Sequence, residues 1–408
     1  METLPMRPLL ASLMMTGMLS LTLVSVMPLA TAVEASAVPA LTQKANQGDA
    51  LAQFDLGVAY YHGKGVAQDY TKAMSLFKQA ANQGNATGMF NVGVMYQKGQ
   101  GVPKNDTLAQ EWFLKAANQG SAAAQYSVGV AYSKGEGRVQ DAKQAAYWYQ
   151  QAARQGHAAA QNDLGALYLD GRGVSKDEKQ AFDWFEKAAN QGHKLGQYNL
   201  GVSYHLGRAV TQDYAKAVSL FEKAAAQGHP ASTFNVGVAY YNGQGATQSY
   251  PEAFKAYEKA AALGHVNAIY NLGVMYDKGQ GVAQDYKEAF SYYDKAANLG
   301  SYKATYALGT LNHYGKGMAV DYAKAMQLYQ QAAEFGYANA LNDIGVLYSK
   351  GLGVEQNQEK ALYYFTLAGN TNYTLGKTNA EKTKKLLTAE QITKVEADAK
   401  NWKPTKTS

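Results

Sequence analysis

The stretch LGVAYYHGKGVAQDY, Leu56 to Tyr70, returns along the chain with small changes: VGVMYQKGQGVPKND from Val92, LGVMYDKGQGVAQDY from Leu272 and IGVLYSKGLGVEQNQ from Ile344. Two glycines one residue apart, behind an apolar run, are one ingredient of a phosphate-binding loop. Such a loop needs a strand before it and a helix opening on it. The spacing of the copies points elsewhere. The aligned glycines are Gly57, Gly93, Gly129, Gly165, Gly201, Gly237, Gly273, Gly309 and Gly345, a constant step of 36 residues without insertion. A fixed period of this size marks a stacked repeat array.

Other columns keep the same step. Sixteen residues after the glycine comes Ala73 and its equivalents to Ala361; twenty residues after it the side chain is always aromatic, from Phe77 to Phe365. These columns read as two helices per repeat. In the first repeat, helix A runs from about Ala50 to Tyr61. Gly63-Lys64-Gly65 stops it, because glycine takes the left-handed conformation after a helix end. Asp69 caps helix B, which runs to about Asn82. Asp141, Asp177, Asp213, Asp285 and Asp321 fill the same capping column. Ala73, Phe77 and Ala80 fall on one helical face. A glycine inside helix A costs about 1 kcal/mol relative to alanine, so its recurrence implies close helix–helix approach there.

The chain has 408 residues, a modest net charge of +6 and no cysteine. The basic residues are dispersed, with no dense Lys/Arg face interleaved with aromatics, which argues against nucleic acid. Without cysteine there is no thiolate nucleophile, disulfide or Cys-type zinc site. At the start, Arg7 precedes an apolar run from Leu9 to Met27, Pro28 breaks it, and Ala30-Thr31-Ala32 supplies the small residues of a cleavage site. Residues 1–32 therefore read as a signal peptide, with an uncleaved membrane anchor as the competing reading, and the mature protein is expected to be periplasmic or secreted. No later segment is long and apolar enough to span a bilayer.

The segment AQFDLGVAYYHGKGVAQDYTKAMSLFKQAANQG, Ala52 to Gly84, and its eight successors resemble the Sel-one-like repeat family, relatives of the tetratricopeptide repeats. The resemblance implies an all-α, right-handed superhelical solenoid of nine helix-turn-helix repeats, with helix A lining the concave side. On this reading residues 33–48 form an N-terminal capping half-repeat, 49–372 the nine repeats, and 373–408 C-terminal capping helices with a basic tail. Thr388 and Gln391 have the spacing of a capping box. Ala209 replaces the second glycine of repeat five, and Ser249 and Pro251 open helix B of repeat six.

The chemistry-bearing residues are few. His157, His193, His229 and His265 form a column, but equivalent positions on stacked helix pairs lie roughly 10 Å apart, too far to share an ion whose ligands sit about 2 Å away. No metal and no cofactor are expected. Cysteine-rich members of the family are described as β-lactam hydrolases, and SLFK, Ser75 to Lys78, matches Ser-x-x-Lys. No Ser-Asp-Asn or Lys-Thr-Gly accompanies it. An enzyme is not expected.

By the tetratricopeptide pattern, the groove-facing columns lie three and two residues before the glycine and one, four and five after it. The first runs Phe54, Phe90, Tyr126, Asn162, Tyr198, Phe234, Tyr270, Tyr306 and Asn342; the second runs Asp55, Asn91, Ser127, Asp163, Asn199, Asn235, Asn271, Ala307 and Asp343. Rings supply apolar contact, and amides pair with the N–H and C=O groups of an extended peptide. The competing reading is that the rings pack between repeats and the amides reflect repeat ancestry. The partner-binding residues expected are Tyr198, Asn199, Phe234, Asn235, Tyr270, Asn271 and Tyr306, with His205 and Tyr241 varying on the same side. The functional expectation is an exported scaffold that binds a protein or peptide, in envelope maintenance or host-cell contact. The alternatives are a β-lactam hydrolase and a protein associated with peptidoglycan or envelope enzymes.

Overall fold

A computed structural model describes residues 35–407. Residues 1–32, read from the sequence as a signal peptide, lie outside the described residues. Among those described, the secondary structure is helical throughout: one 3-10 turn, Ala35–Ala37, and 21 α-helices. They run α1 (Val38–Asn46), α2 (Ala50–His62), α3 (Tyr70–Asn82), α4 (Ala86–Lys98), α5 (Asp106–Asn118), α6 (Ala122–Lys134), α7 (Ala142–Arg154), α8 (Ala158–Asp170), α9 (Glu178–Asn190), α10 (Lys194–Leu206) and α11 (Tyr214–Ala226). There follow α12 (Pro230–Asn242), α13 (Tyr250–Ala262), α14 (Val266–Lys278), α15 (Tyr286–Asn298), α16 (Tyr302–Tyr314), α17 (Tyr322–Ala333), α18 (Ala338–Lys350), α19 (Gln358–Asn370), α20 (Thr374–Lys384) and α21 (Ala389–Lys400). Even-numbered helices from α2 to α18 are the A helices of the nine repeats, and odd-numbered helices from α3 to α19 are the B helices. This is the all-α helix-turn-helix solenoid class that the period implies. The chain divides into two units, Met1–Ala224 and Ala225–Ser408.

Each helix end is written in the sequence. Gly63 ends α2 with φ 68°, and the N–H of Lys64 reaches back to the carbonyl of Ala59 at 3.0 Å. The expected carboxylate caps are present: Asp69, Asp141, Asp177, Asp213, Asp285 and Asp321 each accept an N–H from the first turn of the following helix. Asn105, Ser249 and Asn357 do the same work in the other repeats. Ala209 adopts a positive φ of 56° where the other repeats have the second glycine.

Within each unit the core is a lock between two columns. A Cβ added at any glycine of the Gly57 column would come 2.6–2.8 Å from the ring twenty residues later, closer than packing permits. Gly57 lies against Phe77, Gly237 against Tyr257, Gly345 against Phe365. The rings in these pairs are almost fully buried, and the alanines of helix B beside them reach 0% exposure at Ala73, Ala253 and Ala361. The glycine thus gives up helix propensity to let a ring lie on the helix backbone.

Helices also cover the ends of the array. α1 packs on α2, and Ala45 joins Ala52 and Leu56 in a small core. At the other end Thr388 and Gln391 form the capping box of α21, and Val395 packs with Leu362 and Phe365. The tail then folds back along its own unit. Trp402, partly buried, packs against the core formed by α17, α18 and α19, Pro404 lies over Gly336, and the Lys406 N–H bonds to the Glu334 carbonyl at 3.0 Å.

Candidate functional site

The helix-A columns form the candidate site, taken separately in each unit. In the first unit, Tyr198 and Asn199 lie on α10 and are partly exposed. The Tyr198 ring packs at 5.9 Å from Phe221, and Asn199 Nδ2 donates to Asn162 Oδ1 at 2.8 Å. His205 is partly buried, set edge-on to Tyr214 at 5.2 Å, and burial pushes its imidazole below the usual histidine range.

In the second unit, Phe234 packs against Tyr257 at 5.6 Å and stacks on His265 at 4.4 Å. Tyr270 packs on Tyr293 at 5.7 Å, and Tyr306 on Tyr329 at 5.4 Å. Tyr241 donates its hydroxyl to Gln280 Oε1 at 2.6 Å. Phe234 is therefore held between the two helices of its repeat and the opening of the next, and the rings of Tyr270 and Tyr306 are likewise engaged in packing. The amide column differs from place to place. Asn271 lies beside the Tyr257 hydroxyl and offsets part of the effect of burial on that phenol. The side-chain amide of Asn235, a partly exposed residue, has no hydrogen bond to another described residue.

The histidine column caps the A helices. His157, His193 and His229 accept through Nδ1 from the N–H groups of Ala160, Gly196 and Ser232 at 3.2, 3.2 and 3.3 Å, where other repeats use Asp49, Asn85, Ser121 and Ser301. His265 occupies the same place without a side-chain cap bond. Burial pushes His193 and His265 down to about 4, with the neighbouring His157 and His229 adding to the effect. Among the described residues no three His, Cys, Asp or Glu side chains gather as a metal site would require.

Ser75 and Lys78 do not form a nucleophile–base pair. Ser75 is exposed and accepts a long hydrogen bond from Gln79, while the Lys78 ammonium donates to the Tyr96 hydroxyl at 3.0 Å. A cleft of about 600 Å³ opens between α19, α20 and α21, lined by Phe365, Thr366, Lys377, Glu381, Lys384 and Glu396. Lys384 spans it, paired to Glu381 at 2.7 Å and to Glu396 at 2.8 Å.

The sequence reading placed Tyr126, Asn162, Asp163, Asn342 and Asp343 in its columns and singled out Asn199 and Tyr306, but did not join them into two hydrogen-bonded networks. In the first unit, Asp163 accepts the Tyr126 hydroxyl at 3.0 Å and Asn162 Nδ2 at 3.0 Å, and Asn162 in turn accepts from Asn199. In the second unit, Asp343 accepts the Tyr306 hydroxyl at 2.8 Å and Asn342 Nδ2 at 3.1 Å, and Asn342 accepts from Asn379 at 2.9 Å. The signal was there in QNDLG, Gln161 to Gly165, and LNDIG, Leu341 to Gly345. In only these two repeats does an Asn-Asp pair stand before the Leu-Gly or Ile-Gly.

The Sel1 repeat family model matches nine consecutive segments, from residues 50–85 to 338–370. The chain belongs to the Sel1 repeat family. Among solved structures it is similar to c5321, a protective antigen of uropathogenic Escherichia coli strains with the same repeat fold. They share 32% identity over 90% of this chain and 86% of that one, with a TM-score of 0.68. A Sel1 repeat protein from Oxalobacter formigenes is 28% identical over 76% of this chain and 89% of its own, with a TM-score of 0.57. No curated protein matches the chain. The matched segments of this Sel1 repeat chain stop at residue 370, although α20 continues the pattern. Asn379 makes the bond to Asn342 that Asn199 makes to Asn162.

Proposed function

We propose that this Sel1 repeat protein is an exported scaffold that holds an extended segment of a protein partner along its helix-A face, in work at the cell envelope. Membership of a family whose repeats mediate protein–protein interaction supports the scaffold reading. The export signal at residues 1–32 supports the location. The observation that carries the binding site is Asn235. Its amide is unused by the fold, stands on the same column as Asn271, and is flanked by Phe234 and Tyr241. An amide not spent on the fold is available to the backbone of a partner, at about 1 kcal/mol net per hydrogen bond.

The test is site-specific photo-crosslinking in intact cells. A photoreactive residue at Asn235 or Asn271 is expected to capture one and the same partner, and at the exposed helix-B positions Glu258 and Asp294 to capture none of it. With that partner purified, Asn235→Ala/Asn271→Ala should weaken binding by about tenfold at unchanged helical content. Capture from Glu258 and Asp294 alone would move the interface to the other face.

A further inference from the structure

Asp163 and Asp343 are carboxylates that the fold itself leaves without a counter-charge. Each is partly exposed on the helix-A side and accepts one tyrosine hydroxyl and one asparagine amide. Neither has an ion-pair partner among the described residues. The basic groups that act on them are otherwise engaged: Lys134 pairs with Glu136 at 3.5 Å, and His313, whose imidazole burial holds below the usual histidine range, meets the Tyr329 hydroxyl through Nδ1 at 3.2 Å. Burial accordingly pushes both carboxyls above the usual range.

A network with a purely structural purpose has no need of the charge. Asparagine fills this column at Asn91, Asn199, Asn235 and Asn271, and would accept a tyrosine hydroxyl at lower desolvation cost. The aspartate is nonetheless present twice, and its hydrogen-bond partners are repeated with it. Residue numbers shift by 180 between Tyr126 and Tyr306, Asn162 and Asn342, Asp163 and Asp343, and Asn199 and Asn379. The aromatic neighbours match as well: Tyr149 and Tyr329 pack on the tyrosine, and His157 or Tyr337 lies against it. Each carboxylate oxygen accepts one hydrogen bond and keeps a second lone-pair direction. A guanidinium or ammonium can occupy those directions as a charge-assisted bond, beside the edge of Tyr126 or Tyr306.

We propose that Asp163 and Asp343 are two equivalent receptor sites, one in each unit, for a cationic side chain, arginine or lysine, of an extended partner segment. The proposal deepens the helix-A reading and rests on it. It gives the partner a chemistry: a basic motif engaged at two places, in one long segment or two short ones.

The probes are dodecapeptides of Ser, Ala and Gly with arginine, lysine or citrulline at every fourth position, titrated into the full chain by calorimetry at low salt. Citrulline keeps the shape of arginine without its charge. The arginine or lysine peptide is expected to bind at least about tenfold more tightly than the citrulline peptide, with two sites per chain. Asp163→Asn should remove one site and Asp343→Asn the other. Comparing the peptides on the unaltered protein needs no variant, so a variant that folds poorly does not decide the matter. Equal binding of cationic and citrulline peptides, or no binding of any at millimolar concentration, overturns the proposal. If all the peptides bind alike and Asn235→Ala/Asn271→Ala weakens them all, the helix-A face stands and only the cation sites fall.

Discussion

Asn91 has both polar atoms of its amide buried without a partner, at 1% exposure. Its counterpart one hundred and eighty residues on, Asn271, lies beside the Tyr257 hydroxyl, but the residue at the position matching Tyr257 is Phe77. One missing oxygen explains the orphaned amide, whose desolvation goes uncompensated. Phe77→Tyr is therefore expected to raise the unfolding free energy by about 1 kcal/mol in urea titrations; a variant no more stable than the parent would show that the hydroxyl does not reach. The reverse case is Gly237→Ala. The added methyl would meet the Tyr257 ring at 2.6 Å, so despite better helix propensity it should cost about 1–3 kcal/mol, read as a lowered melting temperature. The glycine and ring columns that make this lock were legible from their spacing. The orphaned amide of Asn91 and the bonds of Asp163 and Asn199 were not, because a column says which residues are equivalent and not which hydroxyl lies within reach. That depends on neighbours from two repeats at once.

At the scale of the helix, the ends were legible because capping chemistry is local: Asp69, Gly63 and Thr388 each act on residues a few places away. The histidine caps were harder to read, since histidine is not among the preferred capping residues. They make the A helices sensitive to acid. Nδ1 of His193 accepts a hydrogen bond only when it carries no proton. The folded chain holds its pKa at about 4, against an unfolded value near 6.5. The stability this neutral ring contributes is complete above about pH 6.5 and is lost as pH falls towards 4, where the unfolded chain binds the extra proton. His193→Asn keeps a good cap that does not titrate there. Its unfolding free energy should fall less steeply between pH 7 and 4 than the parent's, by on the order of 1 kcal/mol after allowing for partial exposure. Parallel pH profiles would refute the cap as a titrating element.

Over the whole chain, the two units share more than the 36-residue step. Tyr61 donates to Gln100 at 2.6 Å, and Tyr241 donates to Gln280 at the same distance. Together with the paired aspartate networks, these bonds recur after five repeats, as a tandem copy of a five-repeat block would produce. Repeat arrays are stabilised by nearest neighbours and need closed ends. The apolar face of α19, with Leu362 at 0% and Phe365 at 3% exposure, is covered by α20 and α21. A chain ended after Asn370 should lose amide-exchange protection first in α19 and α18, while helices of the first unit keep theirs; uniform loss along the chain would argue for a single cooperative block.

The returning tail also sets how the molecule can be watched. Of its four tryptophans, Trp112, Trp148 and Trp184 belong to the first unit and Trp402 alone to the second. Because Trp402 leaves the end of the stack and packs, partly buried, against the core of α17, α18 and α19, its light reports on the packing of repeats eight and nine. With the other three replaced by phenylalanine, the protein carries a built-in optical probe of its second half alone.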